Sequence, residues 1–269
     1  MQPNEQELAM ALRGGLRGRF QGSFHLLENA FEVLNDQMLH CVTPTQYDAL
    51  HPLLEQIEEQ LLLLRRLSEH AADAAVAPVL QQLCTPRPME LLGQLREWCV
   101  LFNELTLQER VEASATVETA PGMQVLLTMG DDTLLSGLLA NLLSNSLSAG
   151  GAVRITLACA PGQFCYRDDG PGLAEDARAL LQDGVWSDRL LEQGGLGLPL
   201  VRAYAAAMGW TLSVPEEKGT CLQFAVPPCT MDLGSMVLES TGVTPQLTQR
   251  REVYLQRELY PVLHNPASR

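Results

Sequence analysis

The chain has 269 residues, which is enough for one or two domains with a sizeable core. Apolar residues make up 46% of it and aromatic residues only 5%, which excludes wholesale disorder and favours packed helices with a smaller sheet. The formal net charge of −14 opposes binding to a polyanion, so we expect no nucleic-acid partner.

No run of about 18 apolar residues occurs, so no membrane span is expected. The N-terminus is polar and lacks the charged-then-apolar order of a signal peptide. The seven cysteines are scattered and form no CxxC pair. We therefore expect reduced, buried thiols in a cytoplasmic protein, and no metal site built on cysteine.

Apolar side chains recur in steps of three and four through residues 5–39 and again through residues 47–64, which predicts two long helices. The second series has the spacing of a coiled-coil seam. Between the helices, Thr43-Pro44-Thr45 is a turn with a helix-cap signal. Pro52 either kinks the second helix or marks its true first turn. The sequence thus predicts an antiparallel helical hairpin over residues 1–80.

One such hairpin leaves its apolar stripe exposed. Pairing two hairpins into a four-helix bundle would bury the stripe, so we expect a homodimer. The alternative is that the stripe packs on the rest of the same chain.

The pattern changes to a mixed one after a proline-punctuated connection at residues 71–88. We predict helices over 89–102, 132–149 and 196–208, and strands over 111–118, 123–129, 153–160, 163–168, 211–215 and 220–227. This is an α+β domain over residues 85–229, with helices covering one face of a mostly antiparallel sheet. The tail, residues 230–269, contains a predicted helix from Pro245 to Tyr260 and carries no recognisable chemistry.

Three motifs in this domain suggest a ligand. Asn141 and Asn145 stand four residues apart on a predicted helix and so share one face, where amide oxygens can help complete the coordination of Mg²⁺. Taken alone, a solvated or helix-bridging Asn pair is the more frequent explanation.

The second motif, Asp168-Asp169-Gly170-Pro171-Gly172, directly follows a predicted strand. The glycines let the backbone approach a flat ligand, and a carboxylate can accept a hydrogen bond from an exocyclic amine such as that of adenine. The same letters also suit an ordinary turn.

The third motif, Gly194-Gly195-Leu196-Gly197-Leu198, opens an apolar helix. Glycines before a helix N-terminus expose N–H groups to a phosphate chain, although they also serve tight turns.

In this order and spacing, the motifs resemble the N, G1 and G2 boxes of the ATPase superfamily shared by histidine kinases, gyrase, the heat-shock chaperone and MutL. Lys218-Gly219-Thr220 resembles the terminal Gly-Thr element of that superfamily. The resemblance implies an α/β sandwich that binds ATP and Mg²⁺. Asp168 would read adenine and Asn145 would hold Mg²⁺, supported by Asn141.

The resemblance also implies how the pocket is shaped and covered. Residues 173–193 would be the mobile ATP lid, in which Arg178 and Arg189 either reach the phosphates or are solvated. The residues that would line the nucleotide are Gly170, Gly172, Gly195, Gly197 and Thr220.

One position separates the branches of the superfamily. Hydrolases place a Glu, as general base for water, four residues before the metal-binding Asn; here that position is Asn141, whose amide cannot accept a proton in that role. This favours the histidine-kinase branch. The sequence departs from the histidine-kinase pattern at two places. Ser148 stands where many histidine kinases have a basic residue, and the usual Phe-rich box of the lid is reduced to Val185-Trp186.

The expected phosphoacceptor is missing. Histidine kinases carry a run resembling Ser-His-Glu-Leu-Arg-Thr-Pro-Leu on the first helix, and the run from Ala9 to Leu16 aligns with it through Leu12, Arg13 and Leu16. Met10 stands where the His should be, and a thioether cannot take a phosphoryl group. His25, also on the first helix, is interpreted as a flanking or surface residue.

These features lead to three hypotheses. The chain is a histidine-kinase-like phosphotransferase acting in cis or in trans, or a pseudokinase whose nucleotide state changes hairpin packing, or a serine kinase of the anti-sigma-factor type. The long hairpin disfavours the third. Besides a second copy of the chain, the expected partner is a response regulator or a sensor subunit.

Overall fold

The structure is a computed structural model that describes residues 5–148, 154–185, 195–229 and 245–263. It divides into two compact units, Met1–Val76 and Ala77–Arg269. Among the described residues, no helix is both long and apolar enough to cross a bilayer.

The first unit is a helical hairpin of α1 (Glu5–Cys41) and α2 (Pro44–Val76). Thr43 caps α2, because its hydroxyl accepts a hydrogen bond from the N–H of Gln46 at 3.4 Å and its own N–H donates to Gln46 Oε1 at 3.1 Å. This reciprocal pair is a capping box, with Pro44 at the first helical position. Pro52 lies inside α2, so the alternative that it marks the first turn is wrong.

The apolar stripe of the hairpin is only partly covered within one chain. Phe24 and Leu54 are 9% and 7% exposed, whereas Ile57 and Leu64 are 48% and 54% exposed. Between the two helices, the buried guanidinium of Arg65 pairs with the carboxylate of Glu28.

The second unit is α+β, as predicted. A short 3-10 helix (Ala77–Val79) precedes the first of its six α-helices among the described residues, which are α3 (Leu80–Leu83), α4 (Leu91–Gln108), α5 (Asp132–Ser148), α6 (Glu175–Asp183), α7 (Gly197–Ala207) and α8 (Pro245–Leu263). The described strands are β1 (Arg87–Glu90), β2 (Ser114–Thr119), β3 (Leu127–Gly130), β4 (Arg154–Ala160), β5 (Gln163–Asp168), β6 (Thr211–Ser213) and β7 (Cys221–Ala225).

Five strands form one sheet in the order β2-β4-β5-β7-β6. The β2–β4 pair is parallel and the other three pairs are antiparallel, so the sheet is mostly antiparallel as expected. Along β5, Phe164, Tyr166 and Asp168 are buried and alternate with less buried residues. Successive side chains of a strand point to opposite faces, and Asp168 therefore shares the core-facing side of the sheet.

Several elements differ from the sequence prediction. Part of the predicted lid loop is the helix α6, which buries Ala177, Leu180 and Leu181 at helical spacing. The strand β1 (Arg87–Glu90) begins within the segment predicted as a connection, residues 71–88. The strand predicted over 123–129 is observed as the shorter β3 (Leu127–Gly130). These two short strands pair with each other outside the main sheet, a non-local contact that local periodicity does not report.

The seven cysteines are free thiols. Cys41 is exposed and Cys84, Cys165 and Cys229 are only half-buried, so the expectation that all seven are buried is wrong at these four positions. Cys165 and Cys221 lie on neighbouring strands with their Sγ atoms 3.3 Å apart. Burial, with a smaller contribution from Cys221, raises the pKa of the Cys165 thiol to about 12.

Candidate functional site

The end of strand β5 places a buried carboxylate at the centre of several donors. Asp168 is 7% exposed, and its Oδ1 accepts hydrogen bonds from the backbone N–H groups of Gly170 (3.1 Å) and Thr220 (3.0 Å). Its Oδ2 accepts the hydroxyl of Ser146 at 2.5 Å. A carboxylate offers about four acceptor positions, so these three donors leave one for a ligand.

Ser146 in turn contacts Tyr166, with 2.7 Å between the two hydroxyl oxygens. Burial is the main cause that raises the pKa of Tyr166, so the phenol stays neutral. The carboxylate is therefore fixed from helix α5 on one side and from the loop before β7 on the other.

Two glycines let the loops around Asp168 approach each other. Gly219 has a φ of +79°, and a β-carbon added to it would lie 2.1 Å from the backbone oxygen of Asp168. Gly172 has a φ of +85°, and its added β-carbon would lie 3.0 Å from the backbone oxygen of Gly219. The Gly170–Gly172 turn and the Lys218–Thr220 loop thus meet at a distance that only glycine allows.

The Asn pair lies on helix α5, facing the start of helix α7. Asn141 is 0% exposed, and its side-chain N–H donates to the backbone oxygen of Gly137 at 2.8 Å. A β-carbon added to Gly197 would lie 2.8 Å from Oδ1 of Asn141 and 3.5 Å from Oδ1 of Asn145. Within the described residues, Oδ1 of Asn141 and Nδ2 of Asn145 are buried without a hydrogen-bond partner.

The structure therefore brings the three sequence motifs together around α5. Ser146 of that helix holds Asp168, and the adjacent Asn145 faces Gly197. Gly195, two residues before α7, is exposed, and no atom of the described residues lies within 4 Å of a β-carbon added to it.

Comparison with known proteins covers the same part of the chain. Residues 130–230 match the family described as histidine kinase-, DNA gyrase B-, and HSP90-like ATPase. Residues 130–230 form a histidine-kinase-like ATPase domain. A search of curated proteins finds no match.

Several solved histidine kinases are similar in structure to this chain. The catalytic domain of histidine kinase ThkA is 22% identical, with a TM-score of 0.43, and the alignment covers 54% of this chain and 97% of that one. Acinetobacter baumannii histidine kinase AdeS is 15% identical, with a TM-score of 0.45 and coverage of 76% and 97%. Full-length ShkA, solved with AMPPNP, is 18% identical, with a TM-score of 0.49 and coverage of 80% and 47%.

The segment expected to be the lid, residues 173–193, is described as far as Val185. Arg178, on α6, donates from its guanidinium to the backbone oxygens of Val214 (2.8 Å) and Pro215 (3.1 Å). Its guanidinium is therefore bound to the backbone just after β6. Arg189 and Trp186 lie outside the described residues, as does Gly194, and Val185 is 57% exposed.

The two remaining departures from the kinase pattern can also be placed. Ser148 is exposed, and its hydroxyl donates to the backbone oxygen of Ser144 at 2.7 Å. Met10 lies within α1, but its side chain is outside the described part of the structure. His25 is exposed, as predicted for a surface residue, with its Nε2 3.3 Å from Nδ2 of Asn29.

Sequence reasoning missed Ser146, which lies within the Asn motif and binds the Asp168 carboxylate. The available signal was a hydroxyl one residue after Asn145, in a helix segment that also contains Leu142, Leu143 and Leu147. A hydroxyl buried in such a helix needs a partner, and here the partner comes from the sheet.

A separate cavity of about 520 Å³ opens beside Asp168, lined by Arg154, Thr156, Arg167, Asp168, Asp169 and Lys218. The alternation along β4 and β5 puts Thr156 and Arg167 on the face of the sheet opposite to the Asp168 carboxylate. This cavity is therefore distinct from the site that faces α5.

Proposed function

We propose that the chain is a cytoplasmic signalling protein that binds Mg²⁺–ATP in its ATPase domain and dimerises through its hairpin. The observation that carries this proposal is the Asp168 carboxylate, which is held by Ser146 next to the Asn pair and retains one acceptor position. Asp168 would accept the adenine amino group there, with Gly170, Gly172 and Thr220 shaping the pocket around the base.

The residues present also fit a metal and a phosphate chain. A buried amide oxygen without a donor is costly, and Oδ1 of Asn141 is such an atom. The N-terminus of α7 beside it favours negative charge. A Mg²⁺–phosphate pair would satisfy both requirements, with Asn145 holding the metal, Oδ1 of Asn141 supporting it, and Gly195 and Gly197 near the phosphates.

The chemistry we favour for this site is transfer of the γ-phosphate to a protein. Asn141 occupies the position of a general base but cannot take a proton from water, so hydrolysis is disfavoured. A response regulator or a sensor subunit is the partner that fits such an activity.

The second candidate is a pseudokinase, a nucleotide-dependent interaction module that transfers nothing. Met10 favours it, because the aligned position on α1 has no nucleophilic nitrogen. In this case the nucleotide would act through the packing of the hairpin.

Thermal shift measurements test nucleotide binding. Saturating Mg²⁺–ATP, at about 100 times its dissociation constant, should stabilise the protein by roughly 2.7 kcal/mol. Asp168→Asn keeps the size of the side chain but replaces an acceptor with a donor, so it should lose most of this shift. Asp169→Asn, changed next to it, should keep the shift. An equal shift in both variants would remove Asp168 from the site.

Incubation with γ-labelled ATP separates the two candidates. Label on the wild-type protein, or on an added response regulator, supports phosphotransfer. ATP binding without label supports the pseudokinase. Acid-labile label that appears only in Met10→His would show that the hairpin alignment is correct, and label lost in His25→Ala would show that the acceptor lies at His25.

A further inference from the structure

Helix α8 packs on the ATPase domain although it lies outside residues 130–230. It contacts α4 and α5, and Leu255, Leu259 and Leu263 along it are 1%, 0% and 4% exposed. This burial makes α8 part of the core of the second unit. It therefore borders the helix that carries the Asn pair.

A buried arginine ties α8 to the beginning of α5. Arg251 is 6% exposed, and its guanidinium pairs with the carboxylates of Glu97 on α4 and Asp132 in the first turn of α5. Its Nη2 also donates to Oε1 of Gln94 at 3.1 Å. A guanidinium can hold several acceptors at once because its donors form a rigid planar fork.

The other end of α5 also contacts α8. The hydroxyl of Ser144 lies 3.5 Å from the backbone oxygen of Glu258. Ser144 directly precedes Asn145, so α8 contacts α5 next to the proposed metal residue. Helix α5 is thus bordered by the sheet through Ser146, by α7 through Asn141, and by α8.

We propose that α8 positions the nucleotide site by fixing α5, with Arg251 as the positioning residue; this inference rests on the nucleotide binding proposed above. The distance that it controls is the one between the Asn pair and Gly197. A β-carbon added to Gly197 would lie 2.8 Å from Oδ1 of Asn141, which shows how close the two helices are at this point. A small shift of α5 would therefore change the space for a metal and a phosphate.

The test compares Arg251→Met with Arg250→Met in the full chain. Arg250 is an exposed neighbour on the same helix, so the two variants lose the same group from different surroundings. Calorimetric titration with Mg²⁺ and a non-hydrolysable ATP analogue, at a temperature where circular dichroism shows both variants folded, should give roughly 3- to 30-fold weaker binding for Arg251→Met. Arg250→Met should bind like the wild type.

Two further measurements separate positioning from general destabilisation. Adenosine, which lacks the phosphates, should lose less affinity than the Mg²⁺ complex in Arg251→Met. Deuterium uptake by the amides of α5 should be faster in that variant than in Arg250→Met. If Arg251→Met does not fold, Arg251→Lys, which keeps the charge but not the fork, should show the same changes to a smaller degree.

The outcomes distinguish this inference from the proposed function. A wild-type protein that binds no nucleotide overturns both. A wild-type protein that binds, together with folded Arg251 variants of unchanged affinity or unchanged α5 exchange, overturns the positioning role alone.

Discussion

Gly219 and Gly162 have nearly the same left-handed backbone, with φ angles of +79° and +73°, but different surroundings. A β-carbon at Gly219 would lie 2.1 Å from the backbone oxygen of Asp168, whereas one at Gly162 would meet no atom of the described residues within 4 Å. Gly162→Ala should cost only the left-handed strain, about 1–2 kcal/mol. Gly219→Ala should cost more and should also weaken nucleotide binding. Urea denaturation and titration of both variants check this, and equal losses would contradict it.

Two buried thiols make the stability of the second unit depend on pH in the alkaline range. Burial raises the pKa of Cys99 from 9.0 to about 12 and that of Cys159 to about 11. Because the folded pKa values lie above the unfolded ones, the stabilisation is complete below pH 9 and is lost as the pH rises through 11 to 12.

The unfolding free energy should therefore fall as the pH rises from about 9 to 11 in urea titrations. The fall should be shallower in Cys159→Ala, because that variant has one thiol fewer to ionise on unfolding. Cys41→Ala is the matched control, since its thiol is exposed. The same slope in Cys159→Ala and the wild type would show that Cys159 does not contribute.

At the scale of single elements, the start of α2 can be tested directly. Removing the capping hydroxyl in Thr43→Ala should cost about 1 kcal/mol, which is about fivefold in the opening equilibrium of the first turn. Thr45 is exposed and lies two residues later, so Thr45→Ala serves as the control. Hydrogen exchange of the amides of residues 46–48 should be faster in the first variant only.

The elements that the sequence predicted well are those with their own periodicity. The bounds of α5 and α7 agree with their predictions within two residues, because an apolar helix shows its repeat within the segment. By contrast, α6 has only nine residues and β1 only four. Segments this short contain too few residues to show a hydrophobic periodicity. Strand β1 is defined by its hydrogen-bonded pairing with β3 rather than by a pattern in its own sequence.

The same distinction applies to the site. The roles given to Asp168, Asn141 and Asn145 stay predictions, which the resemblance assigns from residue type and spacing alone. The hydrogen bond from Ser146 and the packing of Gly219 on Asp168 could not be predicted, since they depend on how a helix and two strands dock. The partners of Arg178, two backbone oxygens at the end of β6, are likewise a product of tertiary packing.

For the whole molecule, the exposed part of the hairpin stripe predicts a dimer. Ile57 is 48% exposed, and a charge buried there in a four-helix bundle would be strongly unfavourable. Light scattering on the full chain should give twice the monomer mass for the wild type and the monomer mass for Ile57→Asp. Gln56→Asp adds the same charge at an exposed neighbouring position and should stay dimeric. A monomeric wild-type protein would contradict the bundle.

The packing of α8 also determines the order in which the parts of the protein can fold during synthesis on the ribosome. Arg251 meets Glu97 across 154 positions of the chain, whereas the hairpin is built from contacts between neighbouring helices. At about 5–20 residues per second, α8 is synthesised roughly 5–20 s after α5. During that interval the apolar side of α5 has no cover from α8. The hairpin is therefore available for the proposed pairing with a second chain before the proposed nucleotide site is complete.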